Sequence, residues 1–293
     1  MILNRFKAVV LLAGMSGLLL FMGDLLGGTQ GLTIALIISI ILNGSMYFFS
    51  DKIVLGMYQA QSLSEYEYSW IYGIVSELSH EMRLPMPKLW LIKTPMANAF
   101  ATGRNPSYSS IALTTGIISL LTPDELRGVL AHELSHIKNR DILVTTIAAT
   151  MAMAIGYCAD FLRHRAFWGS FSNNSEKNNH SSSVLGAVAL AMLMPLIALL
   201  IKLGISRSRE YLADETGAHA CRDSLALARA LEKLHNHIPK AYMDPQDTVR
   251  ASMASLFIVR PLRGGGLMEL FSTHPSMQKR IEKLFTIHQQ KGY

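Results

Sequence analysis

Two histidines and a glutamate in the middle of the chain have the spacing of a zinc-hydrolase motif. The segment His132-Glu133-Leu134-Ser135-His136 has the form HExxH. Residues four apart lie on the same face of a helix, so both imidazoles can reach one metal ion. Catalytic zinc sites use three protein ligands and keep a position open for water, whose proton a nearby carboxylate can take. The motif therefore predicts zinc-dependent peptide hydrolysis, with Glu133 as the general base.

The residues around the motif favour the helix that it requires. Thr122 suits an N-cap, Pro123 suits the first helical position, and Glu125 completes a capping box. The helix runs through Leu126 and Val129, and the apolar residues expected to bury it are Leu130, Ala131, Leu134 and Ile137. A second His-Glu pair, His80-Glu81, lacks a histidine at the required spacing and is interpreted as an exposed helix end.

A third zinc ligand must come from elsewhere in the chain. The downstream candidates are Glu210, Asp214, His219, His235, His237 and His274. Residues 207–214 have a helical pattern that places Glu210 and Asp214 on one face, so one carboxylate could bind zinc while the other orients a ligand imidazole. An acidic pair that offsets Arg207 and Arg209 on a surface helix fits the spacing equally well.

Composition indicates a membrane protein and argues against several other classes. Half of the 293 residues are hydrophobic and 16% are charged, whereas soluble domains carry about a quarter charged residues. The net charge of +6 comes from scattered Lys and Arg residues that do not alternate with aromatic residues, which argues against nucleic-acid binding. Cys158 and Cys221 lie in unlike surroundings, an apolar run and a polar helical stretch, so neither a disulfide nor a cysteine zinc site is expected.

Four apolar runs define the expected organisation. The first two, on either side of a Gly-Gly turn, predict a transmembrane hairpin with spans at about 6–26 and 31–49. Two more runs, within 142–204, are expected to cross the membrane, although re-entrant or domain-packed segments are the alternative. The predicted domains are the hairpin (1–50), a first part of a protease domain (51–141), the two further apolar segments (142–204) and a second part of that domain (205–293).

The same runs predict the orientation of the chain. An even number of crossings puts both parts of the protease domain on one side of the membrane. Arg5 and Lys7 precede the first run, and the turn of the hairpin has no Lys or Arg, so the N-terminus and the domain are expected in the cytoplasm.

Several short motifs follow one another along the chain: Asn98-Ala-Phe-Ala-Thr-Gly103, His132-Glu-Leu-Ser-His-Ile137 with Asn139-Arg-Asp141, Arg209-Glu-Tyr-Leu-Ala-Asp214 and Thr273-His-Pro275. Together they resemble the HtpX family of bacterial membrane zinc endopeptidases, relatives of the enzymes that process prenylated proteins. Arg140, where the family often has Gly, and Ser276, where it often has a second Pro, depart from the pattern.

The resemblance implies a role for each matching residue. His132, His136 and Glu210 would bind one zinc ion, with Glu133 as base and Asp214 as the carboxylate that orients a ligand imidazole. Asn98, Ala99 and Phe100 would belong to an edge strand that pairs with an extended substrate. His274 would donate a hydrogen bond to the oxyanion.

The expected fold is α+β: a gluzincin-type zinc metalloprotease domain with a small sheet, attached to transmembrane helices. The expected activity is endopeptidase cleavage of misfolded or damaged membrane proteins at the cytoplasmic face of a bacterial inner membrane. The bilayer and membrane protein substrates are the expected partners. A dedicated processing protease with few substrates and a non-catalytic zinc-binding scaffold are the alternatives, and a scaffold would fill all four zinc positions with protein ligands.

Overall fold

In the computed structural model, which describes residues 2–151, 207–237 and 277–292, the chain begins with a long helix folded back on itself. Helix α1 (Ile2–Met57) is broken at Gly27 and Gly28, and Gly28 has a φ of 54°, a conformation that glycine adopts without steric cost. The two arms touch where the Oγ of Ser39 and the Nδ2 of Asn43 donate hydrogen bonds to Ser16 Oγ, at 2.8 and 2.6 Å. These contacts make α1 an antiparallel hairpin.

The second arm of this hairpin has the dimensions of a membrane span. Gly27–Met57 is the one helix in the described residues that is long and apolar enough to cross a bilayer, whereas Phe6–Phe21 and Ile142–Met151 are shorter apolar helices. Large apolar side chains remain exposed along this arm, including Ile37, Ile40 and Phe48. Because so much exposed apolar surface is unfavourable in water, the arm has the surface of a helix that contacts lipid.

A four-stranded mixed sheet follows the hairpin. Its strands are β1 (Gln61–Ser62), β2 (Lys88–Ile92), β3 (Ala99–Gly103) and β4 (Ser109–Thr114), in the spatial order β1-β2-β4-β3. The central pair, β2 and β4, is parallel, and both outer pairs are antiparallel. Strand β3 therefore lies at an edge of the sheet.

Helices make up the rest of the described chain: α2 (Ser69–Glu81), α3 (Thr115–Leu120), α4 (Pro123–Lys138), α5 (Ile142–Met151), α6 (Arg207–Cys221), α7 (Ser224–Asn236) and α8 (Met277–Lys291). Helix α4 begins with the predicted capping box: Thr122 N–H donates to Glu125 Oε2 at 2.9 Å, and Glu125 N–H donates to Thr122 Oγ1 at 3.4 Å. This confirms the start of the helix that carries the HExxH motif.

Helix α4 lies at the centre of the domain formed by the sheet and the later helices. The four apolar residues expected to bury it, and Leu126 and Val129 as well, are fully buried in one core with residues of the sheet and of α2, α6, α7 and α8. Two glycines let neighbouring helices approach its backbone. A Cβ at Gly128 would lie 2.8 Å from Leu227 N of α7, and a Cβ at Gly217 of α6 would lie 2.9 Å from His132 N. The motif helix is thus held at close range from two sides.

Helix α5 connects this domain to the hairpin. Its residues Leu143, Val144 and Ile147 share a buried cluster with residues of both arms of α1, among them Leu11 and Met46. On its other side, Thr146 Oγ1 lies 3.0 Å from Thr102 Oγ1 of β3. The rest of the third apolar run and all of the fourth lie outside the described residues.

The described residues form a mostly helical fold with a small mixed sheet. Residues 88–93 and 110–114, whose sequences are typical of short strands, contain or overlap β2 and β4, and the helical spacing of Trp70, Ile74, Val75 and Leu78 predicts the helix found as α2.

Candidate metal centre

Three side chains from two helices converge on one point. His132 and His136 come from α4, and Glu210 comes from the first turn of α6. The two Nε2 atoms are 3.1 Å apart, and each lies 3.8 Å from a carboxylate oxygen of Glu210. Ligands at about 2 Å from a tetrahedral zinc ion are separated from one another by about 3.3 Å. The observed separations therefore have the scale of a zinc site.

The opposite nitrogen of each imidazole lies beside a carboxylate. His132 Nδ1 is 2.9 Å from Asp214 Oδ1, and His136 Nδ1 is 3.1 Å from Asp141 Oδ2. A carboxylate at Nδ1 favours the tautomer with its proton there, which leaves the lone pair of Nε2 directed at the shared point. Two such lone pairs beside a carboxylate repel one another unless a cation lies between them. The donor set therefore fits a bound zinc ion.

Asp141 reaches His136 because α4 ends in a Schellman turn. Arg140 N–H donates to Ile137 O at 3.1 Å and Asp141 N–H donates to His136 O at 3.3 Å, which is the paired pattern of that motif. Arg140 occupies the left-handed position of the turn with a φ of 56°. Glycine is the usual residue at this position because it has no Cβ. Arg140 therefore keeps the hydrogen bonds of the turn but strains its backbone.

Asp214 is held in turn by a buried arginine from the C-terminal helix. Arg280 of α8 donates from Nε to Asp214 Oδ2 at 2.8 Å and from Nη2 to Oδ1 at 2.7 Å. Its Nη1 lies 3.7 Å from Glu210 Oε2. Burial alone would raise the pKa of Asp214, but the charge and hydrogen bonds of Arg280, together with His132, lower it to about 2. Asp214 is therefore an anion at every pH at which the protein would work.

Glu133 is buried against the edge strand. Ala101 N–H of β3 donates to Glu133 Oε2 at 2.7 Å, which fixes the carboxylate beside the two histidines. Burial raises the pKa of Glu133, while the nearby histidines and the Ala101 hydrogen bond lower it less. A raised pKa makes the carboxylate of Glu133 a stronger base than an exposed glutamate, which suits a general base.

The surrounding carboxylates give the site a cation-attracting field. Burial lowers the pKa of His136, yet the charge and hydrogen bond of Asp141, with the charges of Glu210 and Glu133, raise it to about 10. The same negative charges that stabilise a proton on His136 would stabilise a divalent metal ion.

The expected substrate strand lies beside this site. Ala99 and Phe100 begin β3, and Asn98 directly precedes it, pairing with β4: Asn98 N–H donates to Thr114 Oγ1 at 2.9 Å and Thr114 N–H donates to Asn98 O at 3.0 Å. All three residues are buried. Along the outer edge of β3, Ala101 N–H bonds to Glu133 and Gly103 N–H donates to Thr146 Oγ1.

The geometry separates the third-ligand candidates. Within the described residues, Glu210 is the carboxylate that joins the two histidines in a metal-sized cluster. Asp214 faces Nδ1 of His132 instead, and His219, His235 and His237 do not belong to the cluster. His80, from the His-Glu pair that lacks a second histidine, is exposed, as expected. His274 lies outside the described residues.

Two contacts were not identified from the sequence. Asp141 belongs to the Asn139-Arg-Asp141 motif, but no role was predicted for it. Its place just after the motif helix, five residues from His136, is the signal that could have predicted its contact with that imidazole. Arg280 has no comparable local signal, because its partner Asp214 is 66 residues away in the chain.

Comparisons with known proteins agree with this geometry. Residues 65–288 match the family described as Peptidase family M48. A protein described as "Protease HtpX homolog" from Aquifex aeolicus (strain VF5) is 47% identical over 278 residues, which cover 94% of this chain and 91% of that protein. One of the same description from Syntrophobacter fumaroxidans is 49% identical over 281 residues, which cover 96% and 98%.

Among solved structures, the crystal structure of S. mikatae Ste24p aligns with 97% of this chain and 66% of its own, with a TM-score of 0.48 and 18% identity. Zinc is the metal of the M48 peptidases, and this chain has the matching His-His-Glu donor set. The chain therefore belongs to peptidase family M48 and is a zinc metalloprotease similar over nearly its whole length to HtpX proteases.

Proposed function

We propose that His132, His136 and Glu210 hold the zinc ion and that Glu133 is the general base for peptide hydrolysis. The observation that carries this assignment is the convergence of two Nε2 atoms and one carboxylate, with a second carboxylate behind each imidazole. The gluzincin-type arrangement follows, because two ligands come from the HExxH helix and the third is a glutamate on a later helix.

The residues around the ion perform the remaining chemistry. A bound zinc ion supplies Lewis-acid chemistry, polarising the scissile carbonyl and making water acidic. Glu133 takes the proton at its carboxylate and passes it to the leaving nitrogen. Ala101 N–H holds that carboxylate in place, and Asp214 and Asp141 keep the imidazoles in the tautomer that binds metal.

Replacing the base tests the central role. In purified full-length protein with zinc, Glu133→Gln should lower kcat for a casein-derived peptide by about 10²–10⁴-fold, because the amide cannot take a proton. Zinc content should stay unchanged. Glu282→Gln, the same replacement at an exposed residue of α8, is the matched control. Equal cleavage by Glu133→Gln and wild type would refute the assignment.

Replacing the third ligand tests the zinc set. Glu210→Ala should sharply reduce zinc affinity, measured by competition with a chromogenic chelator. Glu215→Ala, on the same helix and paired with Lys283 at 3.5 Å, should not. Unchanged zinc stoichiometry and affinity in Glu210→Ala would move the third ligand to another residue.

Two further roles are proposed on the family resemblance. His274 would donate to the oxyanion, and Arg280, six residues further on, already contacts Glu210 and Asp214, which supports a place near the site. His274→Ala should lower kcat without changing zinc content. Residues 98–100 would bind an extended substrate, supported by their place at or next to an edge strand beside Glu133. Asn98→Ala should raise KM more than it lowers kcat.

We propose that the enzyme is a multi-pass protein of a bacterial inner membrane, with its site in the cytoplasm and the domain boundaries given above. The apolar hairpin α1 and its contact with α5 support membrane attachment. A tag at the C-terminus should be digested by added protease in inverted vesicles and protected in right-side-out vesicles. Digestion only in right-side-out vesicles would reverse the orientation.

Misfolded membrane proteins are the proposed substrates, because a site next to lipid-facing helices meets bilayer proteins at high local concentration. A destabilised variant of a model membrane protein should be cut faster than its stable parent in the same vesicles. Cleavage of both at one shared sequence, at equal rates, would favour the dedicated processing enzyme instead.

A further inference from the structure

A pocket of about 640 Å³ lies at the C-terminal end of α4, and its nine lining residues comprise three cationic, one acidic, one hydroxyl and four apolar side chains. Arg83, Lys138 and Arg140 line it together with Glu81, Pro106 and Ser107. The three cationic residues are exposed. The one acidic residue, Glu81, also lies 3.8 Å from Arg222, so its charge is partly offset from outside. The lining thus has three cationic side chains against one acidic side chain, and all four residues are exposed.

Two of these residues occupy backbone conformations that arginine seldom adopts. Arg83 has a φ of 55° and Arg140 a φ of 56°, each just beyond the end of a helix. Glycine adopts this left-handed region without steric cost, whereas a residue with a Cβ is strained there. The same conformation occurs outside the pocket at Gln59 and Arg222, so it reflects how these helices end.

The loop that forms one wall of the pocket also touches the end of the membrane helix. Pro106 and Ser107 lie between Arg104 and Tyr108, and the Arg104 guanidinium is 4.0 Å from the Tyr108 ring and 5.5 Å from the Phe48 ring of α1. Nearby, Lys52 Nζ lies 5.5 Å from the Phe49 ring. Aromatic and basic side chains at the end of an apolar span are typical of the membrane–water interface.

A second apolar helix starts beside the pocket. Helix α5 begins two residues after Arg140 and packs against both arms of the hairpin through Val144 and Ile147. The pocket therefore lies close to the start of α5 and, through the loop that holds Pro106 and Ser107, close to Phe48 of α1. With the hairpin in a bilayer, this position would bring the cationic side chains towards the lipid headgroups.

We infer that this pocket binds the headgroup of an anionic phospholipid. The inference rests on the membrane attachment proposed above, but not on proteolysis. Arginine forms paired hydrogen bonds with phosphate oxygens, lysine adds a point charge, and Ser107 offers a hydroxyl. Basic residues near the surface of a membrane are attracted by anionic lipids, and a pocket can in addition select a headgroup that fits it.

Lipid binding can be measured separately from catalysis. Full-length Glu133→Gln protein in a neutral detergent is titrated with fluorescent short-chain phosphatidylglycerol or phosphatidylcholine. The anionic lipid should bind roughly tenfold or more tightly than the zwitterionic one. Combined Arg83→Gln and Arg140→Gln should abolish that preference, whereas combined Arg229→Gln and Lys291→Gln, which removes as much charge outside the pocket, should keep it.

A second variant separates binding from folding. Arg140→Gly removes a charge but places the favoured residue at the left-handed position, so it should lose lipid preference without a lower Tm. Equal affinity for both lipids, or equal loss in the control pair, would overturn the inference. Displacement of the lipid by hexaglutamate at matched charge concentration would overturn it in favour of an acidic protein segment. Failure of wild-type protein to float with phosphatidylcholine vesicles would instead refute the membrane attachment.

Discussion

The two histidines of the metal site are oriented by carboxylates of very different origin. His136 is oriented by Asp141, five residues later, in the turn that ends the same helix. His132 is oriented by Asp214, which comes from another helix and is held by Arg280 from a third. The His136 side chain is 18% exposed, and those of His132, Asp214 and Arg280 at most 2%. One half of the site is therefore built locally, and the other half exists only once the tertiary structure has formed.

The largest effect is expected when Asp214 loses the positive charge of Arg280, in the half of the site formed by His132, Asp214 and Arg280, which we call the long-range half. Arg280→Ala leaves the buried carboxylate of Asp214 without its partner, and breaking a buried ion pair in this way costs about 3–5 kcal/mol. The free energy of unfolding, measured by denaturant titration of zinc-loaded protein, should fall by that amount. Lys279→Ala, at the neighbouring exposed position on the same helix, should change it little. A loss below about 1 kcal/mol in Arg280→Ala would show that the long-range half is not held as described.

Zinc affinity compares the two carboxylates directly. Asp214→Asn and Asp141→Asn each weaken the hydrogen bond that orients one imidazole through its Nδ1. Such changes lower metal affinity by about 10–100-fold. We expect Asp214→Asn to lie at the upper end, because its buried contact also orders Arg280 near Glu210, and Asp141→Asn at the lower end. Chelator competition on both variants measures the difference. The reverse order would mean that the local turn, and not the buried pair, dominates the site.

The pH dependence of stability tests the ion pair between Asp214 and Arg280. Asp214 has its pKa lowered from 3.8 to about 2 in the folded protein. A lowered carboxyl pKa stabilises the fold above the unfolded value and loses this contribution as the pH falls through the folded value, here between about 4 and 2. The contribution is about 2 kcal/mol.

Comparing wild type with Asp214→Asn isolates this contribution, since the other carboxyl groups titrate in both. The difference in their free energies of unfolding should shrink as the pH falls from 4 towards 2. A difference that does not depend on pH across this range would contradict the ion pair with Arg280.

The smallest effect is expected at the start of the motif helix. Thr122→Ala removes the Oγ1 acceptor of the capping box, which typically costs about 1 kcal/mol. The loss should appear in the free energy of unfolding and leave zinc affinity unchanged, because α4 is also held by its neighbours. Thr122→Ser keeps the hydroxyl and serves as the control. A large loss of zinc affinity would show that the local half depends on its cap more than on packing.

The same division explains what could be predicted from the sequence. The capping box, the HExxH helix and the strands β2 and β4 follow from neighbouring residues, and the structure confirms them. Spacing placed Glu210 and Asp214 on one face but could not distinguish ligand from orienting group, because that depends on which one faces Nε2. Arg280 was missed because a buried arginine on an amphipathic helix has the same pattern as a surface one. The insertion of β4 between β2 and β3 likewise has no local signal.

Gly217 sets the spacing of the metal site. Glu210, Asp214 and Gly217 follow one another along one face of α6, four and then three residues apart. At Gly217 the helix rests almost directly on the backbone of His132, since even a methyl group would lie 2.9 Å from its nitrogen. The absence of a side chain at Gly217 therefore sets the distance between α6 and α4. This distance determines how near Glu210 lies to the two imidazoles, and thus the size of the ion that the three ligands can bind.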